Sequence, residues 1–116
     1  MKKLMATVGL LAALSTASGF VSAAQVDDEI ALQMYTLRNV GTPAEQFAMA
    51  HKAGFKHVEL VGTHDLNAAQ LKALLEKNQL TVTSSHVQLK ALEQDYQQTV
   101  TINKAVGNST IVVPWI

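Results

Sequence analysis

The chain has 116 residues, of which 48% are hydrophobic and 16% are charged, and its nine basic side chains balance nine acidic ones. It contains no cysteine, which excludes disulfides and a lipid anchor attached through an N-terminal Cys. The sequence also has no basic patch that would neutralise phosphates, so its composition argues against nucleic acid as a partner.

Residues 1–24 have the layout of a secretory signal peptide. Lys2 and Lys3 precede an apolar stretch over residues 4–21, and small residues at 22–24 offer a cleavage site. A retained membrane anchor is the alternative, but Ser, Thr and Gly dilute a stretch that barely reaches the ~20 apolar residues of a spanning helix. We therefore expect export to the periplasm and a mature domain over residues 25–116. Seven basic and nine acidic residues then remain, a net charge of −2, with no membrane segment.

After a short acidic lead, four apolar runs predict β-strands because they are rich in Val, Ile, Leu and Thr and stop at polar or turn residues. These runs are "IALQMYTL" (30–37), "HVELVG" (57–62), "LTVTSSHV" (80–87) and "STIVVPWI" (109–116).

Three helical patterns lie between the predicted strands. The first begins with Thr42 as a cap in a capping box with Glu45, and it ends at Gly54. The second follows Asn67, which is predicted to cap its first turn. The third covers about residues 91–106 and ends before Gly107.

Strand starts follow one another at intervals of roughly 25 residues, which predicts βαβ units and a parallel sheet. A TIM barrel and an open doubly wound sheet both fit this pattern. No Gly-rich nucleotide-binding motif follows any strand, so the nucleotide-binding form of the open sheet loses support. Four strands are half of the eight that close a TIM barrel. We interpret the chain as the front half of a longer α/β protein with a parallel sheet, and both architectures remain open at this point.

Functional groups of parallel βα folds gather at the carboxyl ends of the strands. In this sequence that end holds Tyr35, Glu59, His86 and Trp115, which are 24, 27 and 29 residues apart and are predicted to occupy equivalent places in one arc. His64, in the loop "GTHDL", follows on the same rim. We take these five as candidate substrate-binding residues.

Each candidate also has a purely structural interpretation. Glu59 can pair with a neighbouring cation, His86 can bond to Ser84 or Ser85, and the aromatic residues can simply pack. Val58 and Leu60, with the opposite parity to Glu59, are expected to pack against the helices. No self-sufficient catalytic motif is present. A Glu and a His on neighbouring strands suit metal binding or acid–base chemistry.

Taken together over residues 30–116, the motifs "LQMYTLRN", "AGFKHVEL", "LTVTSSHV" and "STIVVPWI" resemble the sugar phosphate isomerase/epimerase family. That family belongs to the xylose isomerase-like TIM barrels, which also include endonuclease IV-type enzymes. The resemblance implies the N-terminal half of a (β/α)8 TIM barrel, and we expect four parallel strands in the order 1-2-3-4 with three helices. It also implies a divalent metal at the barrel mouth and proton transfer beside a sugar carbonyl. It implies that Glu59 and His86 lie near the substrate or metal and that Trp115 packs against the substrate. The main metal carboxylates and the catalytic Glu pair would come from the second half of the barrel.

Three functions remain open on this basis, because a fold does not fix chemistry. They are a sugar isomerase or epimerase, a periplasmic metal-dependent lyase or hydrolase acting on modified sugars, and a non-catalytic sugar-binding protein. The chain alone is expected to be inactive, because the carboxylates of the second half are absent. Half a barrel also leaves two strand edges unpaired, so we expect two copies to pair edge to edge as a homodimer.

Overall fold

A computed structural model of the chain describes residues 29–116, and the predicted signal peptide lies outside the described residues. Within this range four strands alternate with helices: β1 Ala31–Gln33, α1 Pro43–Lys52, β2 His57–Val61, α2 Ala68–Lys77, β3 Thr81–His86, α3 Leu89–Gln94, α4 Tyr96–Ala105 and β4 Ile111–Val112. A 3-10 turn, Met34–Leu37, follows β1. None of the helices in residues 29–116 has the length and apolar character needed to cross a membrane.

The four strands form one parallel sheet in the order β1-β2-β3-β4. Gln33 lies opposite Glu59, Glu59 lies opposite Ser84, and His86 lies opposite Val112. An open doubly wound sheet reverses its strand order at a switch point. The sequential order therefore confirms the prediction and favours the barrel over the open sheet.

Local signals at the helix ends behave as the sequence predicts. The Thr42 hydroxyl accepts a hydrogen bond from the Glu45 amide at 3.3 Å, and the Glu45 carboxylate accepts from the Thr42 amide at 2.7 Å. Asn67 and Gln70 form the same reciprocal pair at the start of α2, at 2.8 and 3.0 Å. Gly54, with φ of 96°, ends α1 in the left-handed conformation that glycine adopts without strain.

The hydrophobic core lies between the sheet and the helices. Val58 and Leu60 of β2 are 0% and 1% exposed, which confirms that they face the helices. Phe47 of α1 and Leu71 of α2 are fully buried against them. Burying a side chain of this size contributes about 1.5–3 kcal/mol, so the stability of the fold is concentrated on this face of the sheet. The other face is left for polar side chains.

The first strand is shorter than predicted. It ends at Gln33, and residues 34–37 form the 3-10 turn instead. The turn brings the Met34 side chain into the core, where it is 1% exposed. Tyr35 consequently lies in a turn beyond the sheet and not on the strand itself.

The third predicted helix is divided into α3 and α4 at Asp95. This residue has φ of −151° and ψ of 78°, and its carboxylate accepts a hydrogen bond from the Gln98 amide at 2.9 Å. Asp side chains compete with the helical backbone for such donors, so Asp95 interrupts one helix by capping the next.

The fourth strand is also shorter than the predicted 109–116 and pairs only through Ile111–Val112. Pro114, which has no amide hydrogen, cannot extend that ladder.

Candidate functional site

A carboxylate on the polar face of the sheet joins three strands. Glu59, the middle residue of β2, accepts a hydrogen bond at Oε1 from Gln33 Nε2 of β1 at 2.8 Å. The same oxygen lies 3.0 Å from His86 Nε2 of β3, and Oε2 accepts from the Ser84 hydroxyl. The side chain of Glu59 is 20% exposed and that of His86 is 23% exposed. We call these four residues the Glu59 cluster.

A β-bulge places Ser84 and His86 on the same face as Glu59. Val58 pairs with Val82 and Glu59 pairs with Ser84, so Thr83 is an extra residue on β3. If Thr83 paired regularly with Glu59 instead, strict alternation from buried Val82 would turn Ser84 and His86 toward the helices, because side chains alternate between faces along a strand. Re-aiming a side chain is a recurrent use of bulges next to functional sites.

The surroundings of Glu59 keep its carboxyl group ionised. Partial burial alone would raise its pKa, but the hydrogen bonds from Ser84 and Gln33 and the nearby charge of His86 outweigh burial and lower the pKa below its ordinary value of 4.5. Hydrogen bonds to the charged form of a carboxyl group have this effect. At neutral pH the carboxyl group of Glu59 is therefore ionised.

Of the five predicted site residues, the structure brings two into contact, Glu59 and His86. Tyr35 is 52% exposed, and the guanidinium carbon of Arg38 lies 4.1 Å from its ring centroid. Trp115 is 75% exposed, three residues after the end of β4. The prediction that the strand residues occupy equivalent places is wrong, because Gln33 and Ser84 are the register partners of Glu59. Tyr35 lies two residues beyond Gln33, in the turn after the short β1, and His86 lies two residues beyond Ser84, opposite Val61.

His64 turns back onto its own loop. Its Nε2 accepts a hydrogen bond from the Val61 amide at 3.3 Å, and its ring lies edge-on to Phe47 with centroids 5.3 Å apart. Burial lowers the pKa of His64, and Asp65 opposes that shift only in part. The structure thus gives His64 a neutral ring that closes the loop after β2.

Sequence reasoning missed Gln33 as a site residue and treated Ser84 only as a partner of His86. Gln33 is a polar residue within an apolar run, which is the signal that was available. Its relation to Glu59 depends on the register of β1 against β2, which local sequence does not specify. Ser84 and Ser85 are adjacent identical residues, and only the bulge at Thr83 decides which of them faces Glu59.

The cluster contains two groups that can bind a cation, the Glu59 carboxylate and the His86 imidazole. Their 3.0 Å separation suits two adjacent ligands of one divalent ion with bonds of about 2.1 Å. Among residues 29–116 no group of three or more His, Cys, Asp or Glu side chains is placed to hold a metal. The described part of the chain thus offers two ligands and not a complete metal site.

Comparison of the sequence with protein-family models and with curated proteins found no match. Two solved structures are similar in fold. An AP endonuclease, family 2, from Brucella melitensis has a TM-score of 0.59 at 20% identity, over 72% of this chain and 39% of that chain. A sugar phosphate isomerase/epimerase from Parabacteroides distasonis has a TM-score of 0.61 at 18% identity, over 83% of this chain and 42% of that one.

The chain therefore spans about two fifths of the length of either solved structure. At such low identities the likeness concerns the fold alone. The parallel order β1-β2-β3-β4 with intervening helices agrees with both structures. In fold, the described part of this chain corresponds to part of a TIM barrel.

Proposed function

We propose that this chain forms the first four strands of a metal-assisted sugar isomerase or epimerase, and that Glu59 and His86 contribute to its substrate and metal site. The observation that carries the proposal is the carboxylate of Glu59, which side chains of the two neighbouring strands, β1 and β3, hold toward the carboxyl ends of those strands. TIM-barrel enzymes hold their active sites at that end. The signal-peptide pattern of residues 1–24 supports action in the periplasm.

The lowered pKa of Glu59 defines its role within this proposal. A general base is most effective when its pKa lies near the working pH, and a carboxylate held below 4.5 is a weak base at neutral pH. Glu59 is therefore suited to accept hydrogen bonds from sugar hydroxyls or to bind a cation. A different carboxylate, from another part of the completed barrel, would move the proton beside the carbonyl.

The neighbours of Glu59 fix its orientation. Ser84 and Gln33 donate to different carboxylate oxygens, which restrains rotation of the carboxylate group. His86 Nε2 lies 3.0 Å from Oε1 and adds a third contact to the carboxylate. Such restraint positions a binding group before the substrate arrives and reduces the entropy cost of binding.

A divalent metal, when bound, would polarise the sugar carbonyl as a Lewis acid. On this chain Glu59 and His86 are the residues that would hold it, and the remaining ligands would come from the strands that complete the barrel. Glu59 supplies the negative charge that a hard cation prefers, and its ionised state means that binding requires no loss of a proton from the carboxyl group.

The test is a titration of the full chain with Mg²⁺ and with D-xylose or D-glucose, followed by backbone amide resonances. We expect shifts centred on Glu59, Ser84 and His86, and at least tenfold weaker binding in Glu59→Gln and His86→Asn. Glu93→Gln, on exposed α3, is the matched control and should bind like the parent chain. Absence of shifts at the cluster, or equal binding by Glu59→Gln, would contradict the proposal.

Incorporation of deuterium from the solvent into the sugar then distinguishes the three candidate functions. A barrel completed by the remaining strands should incorporate deuterium from D₂O at the carbon beside the sugar carbonyl if it is an isomerase or epimerase. Cleavage of a modified sugar without isomerisation would identify a lyase or hydrolase. Sugar binding with neither reaction would identify a non-catalytic sugar-binding protein.

A further inference from the structure

The loop that follows β2, residues 62–66, is joined through its backbone to the strand that carries His86. The Gly62 amide donates to the His86 carbonyl at 2.9 Å, and Val61 lies opposite His86 in the sheet. His86 and Val61, together with Gly62 and Thr63, line a cleft of about 370 Å³ at the carboxyl ends of β2 and β3. The conformation of this loop therefore determines the shape of the cleft beside His86.

The short first strand leaves the Val61 amide without a partner in the sheet. Successive amides of a strand point to opposite neighbours, so the Gly62 amide, which bonds to β3, places the Val61 amide on the side of β1. β1 ends at Gln33, opposite Glu59, and does not reach Val61. The His64 ring takes the place of the missing strand, because its Nε2 accepts a hydrogen bond from the Val61 amide at 3.3 Å.

The loop adopts this arrangement against its own backbone preference. His64 and Asp65 have φ of 54° and 59°, in the left-handed region that residues other than glycine rarely adopt. Such conformations persist only where the surrounding contacts hold them. One of these contacts is the Val61 amide, and another is Phe47 of α1, whose ring lies 5.3 Å from the His64 ring between centroids. The His64 ring thus keeps a strained loop closed.

Only a neutral ring can accept this hydrogen bond. The proton of neutral His64 must lie on Nδ1, and a second proton on Nε2 would place one donor against another. The surroundings oppose that protonation, because α1 presents the apolar Phe47 ring and β2 presents the Val61 amide. Burial lowers the pKa of His64, and the charge of Asp65 offsets this shift only in part. Protonation as the pH falls below 6.5 therefore breaks the contact with Val61.

We propose that His64 is a positioning residue of the Glu59 site and that its protonation opens loop 62–66, so that acid reshapes the cleft beside His86. With the loop open, the wall formed by Gly62 and Thr63 moves away from His86, and ligands of the site bind more weakly. The effect on ligands rests on the proposed function, whereas the opening of the loop requires neither a sugar nor a metal.

The experiment follows the full chain by NMR between about pH 8 and about pH 4, without sugar or metal. Imidazole nitrogen shifts report the tautomer of His64, and we expect its proton on Nδ1 at high pH. Hydrogen exchange measures the protection of the Val61 amide, which should fall roughly tenfold as His64 becomes protonated. The amide of Leu75, a buried residue of α2, should keep its protection.

Two variants separate the hydrogen-bond acceptor from the charge. His64→Gln places a side-chain oxygen near the position of Nε2 without a titratable group, so the Val61 amide should stay protected at every pH. Gln79, with φ of 55°, shows that glutamine adopts this backbone region in the same chain. The shorter side chain of His64→Asn should leave Val61 unprotected even at high pH. His51→Gln, an exposed change in the last turn of α1, is the control and should behave like the parent chain.

A neutral His64 with its proton on Nε2, protection of Val61 that is independent of pH, or an equally steep loss in His64→Gln would overturn the proposal. Equal losses at Val61 and Leu75 would also overturn it, because acid would then unfold the whole chain. None of these results depends on the binding measured with Glu59→Gln. If that variant binds sugar and metal like the parent chain while the His64 results are as expected, the proposed function fails and the opening of the loop stands.

Discussion

At the scale of single residues, Glu59 shows how one strand serves both the core and a polar site. Its neighbours Val58 and Leu60 are buried against the helices. A carboxylate placed there without a partner would cost several kcal/mol. Alternation along the strand places Glu59 on the opposite face, where Gln33, Ser84 and His86 satisfy it.

At the same scale, His64 makes the stability of the folded chain depend on pH. Its pKa is lowered in the folded state from an ordinary 6.5, so the fold favours the neutral ring. The unfolded chain then binds more protons than the folded chain as pH falls from 6.5, and the contribution of His64 to stability is lost through that window. We expect the urea concentration at the midpoint of unfolding to decrease as the pH falls below 6.5 in the parent chain. The same decrease should be smaller in His64→Asn.

Asn suits this test because it tolerates the positive φ of 54° at this position. His51→Asn, an exposed change in the last turn of α1, is the control and should retain the slope of the parent chain. An unchanged slope in His64→Asn would show that this ring does not titrate differently in the folded and unfolded states.

At the scale of elements, the bulge in β3 determines which side chains meet. Thr83 has no partner on β2, and because the bulge absorbs this extra residue, Val82, Ser85 and Val87 are all buried on the helix side. Deleting Thr83 gives a regular strand in which Val82 and Ser85 keep one face and Ser84 and His86 keep the other.

We therefore predict that deletion of Thr83 leaves a cooperatively folding chain in which the pKa of Glu59 remains lowered. Urea unfolding and a carboxyl titration measure the two properties. Inserting an alanine after Thr83 is the contrasting variant, because it moves Ser84 two residues out of register with Glu59 and should release the pKa toward 4.5. Retention of a lowered pKa in the insertion variant would show that the register does not hold the cluster together.

Features that depend on a few neighbouring residues could be predicted from the sequence, whereas features that depend on contacts between distant segments could not. The caps at Thr42 and Asn67 and the end of α1 at Gly54 were predictable, because each rests on residues within one helical turn. The βαβ spacing predicted a parallel sheet, and the resemblance to a TIM-barrel family implied the sequential order of its strands. The contacts of Glu59 with Gln33 and Ser84 were not predictable, because they depend on strand register and on a bulge. Those features are settled by packing between distant segments.

At the scale of the whole molecule, the described sheet has two edges, β1 and β4. Ile111 and Val112 of β4 are 37% and 36% exposed, and Trp115 beyond them is 75% exposed. An unpaired parallel edge with apolar side chains is a site for pairing with another chain. We propose that two copies pair edge to edge and so bring eight strands together.

The corresponding prediction is that the mature chain, residues 25–116, is dimeric or larger in solution. Static light scattering measures its mass, and replacing Val112 with Lys, a charge that protects edge strands, should shift the population toward monomer. Gln79→Lys, at the opposite end of β3 and away from the β4 edge, is the control. A monodisperse monomer with a cooperative thermal transition would contradict the edge-to-edge arrangement.

The most direct test of the account is the ionisation of Glu59, because the candidate site depends on a carboxylate of β2 that side chains of β1 and β3 hold. Its side-chain carboxyl resonance, followed against pH by carbon NMR, reports that pKa without requiring a ligand. We predict a value below 4.5 in the parent chain and an upward shift in Ser84→Ala, which removes a donor to the charged form. A Glu59 pKa at or above 4.5, or one that Ser84→Ala leaves unmoved, would contradict the account.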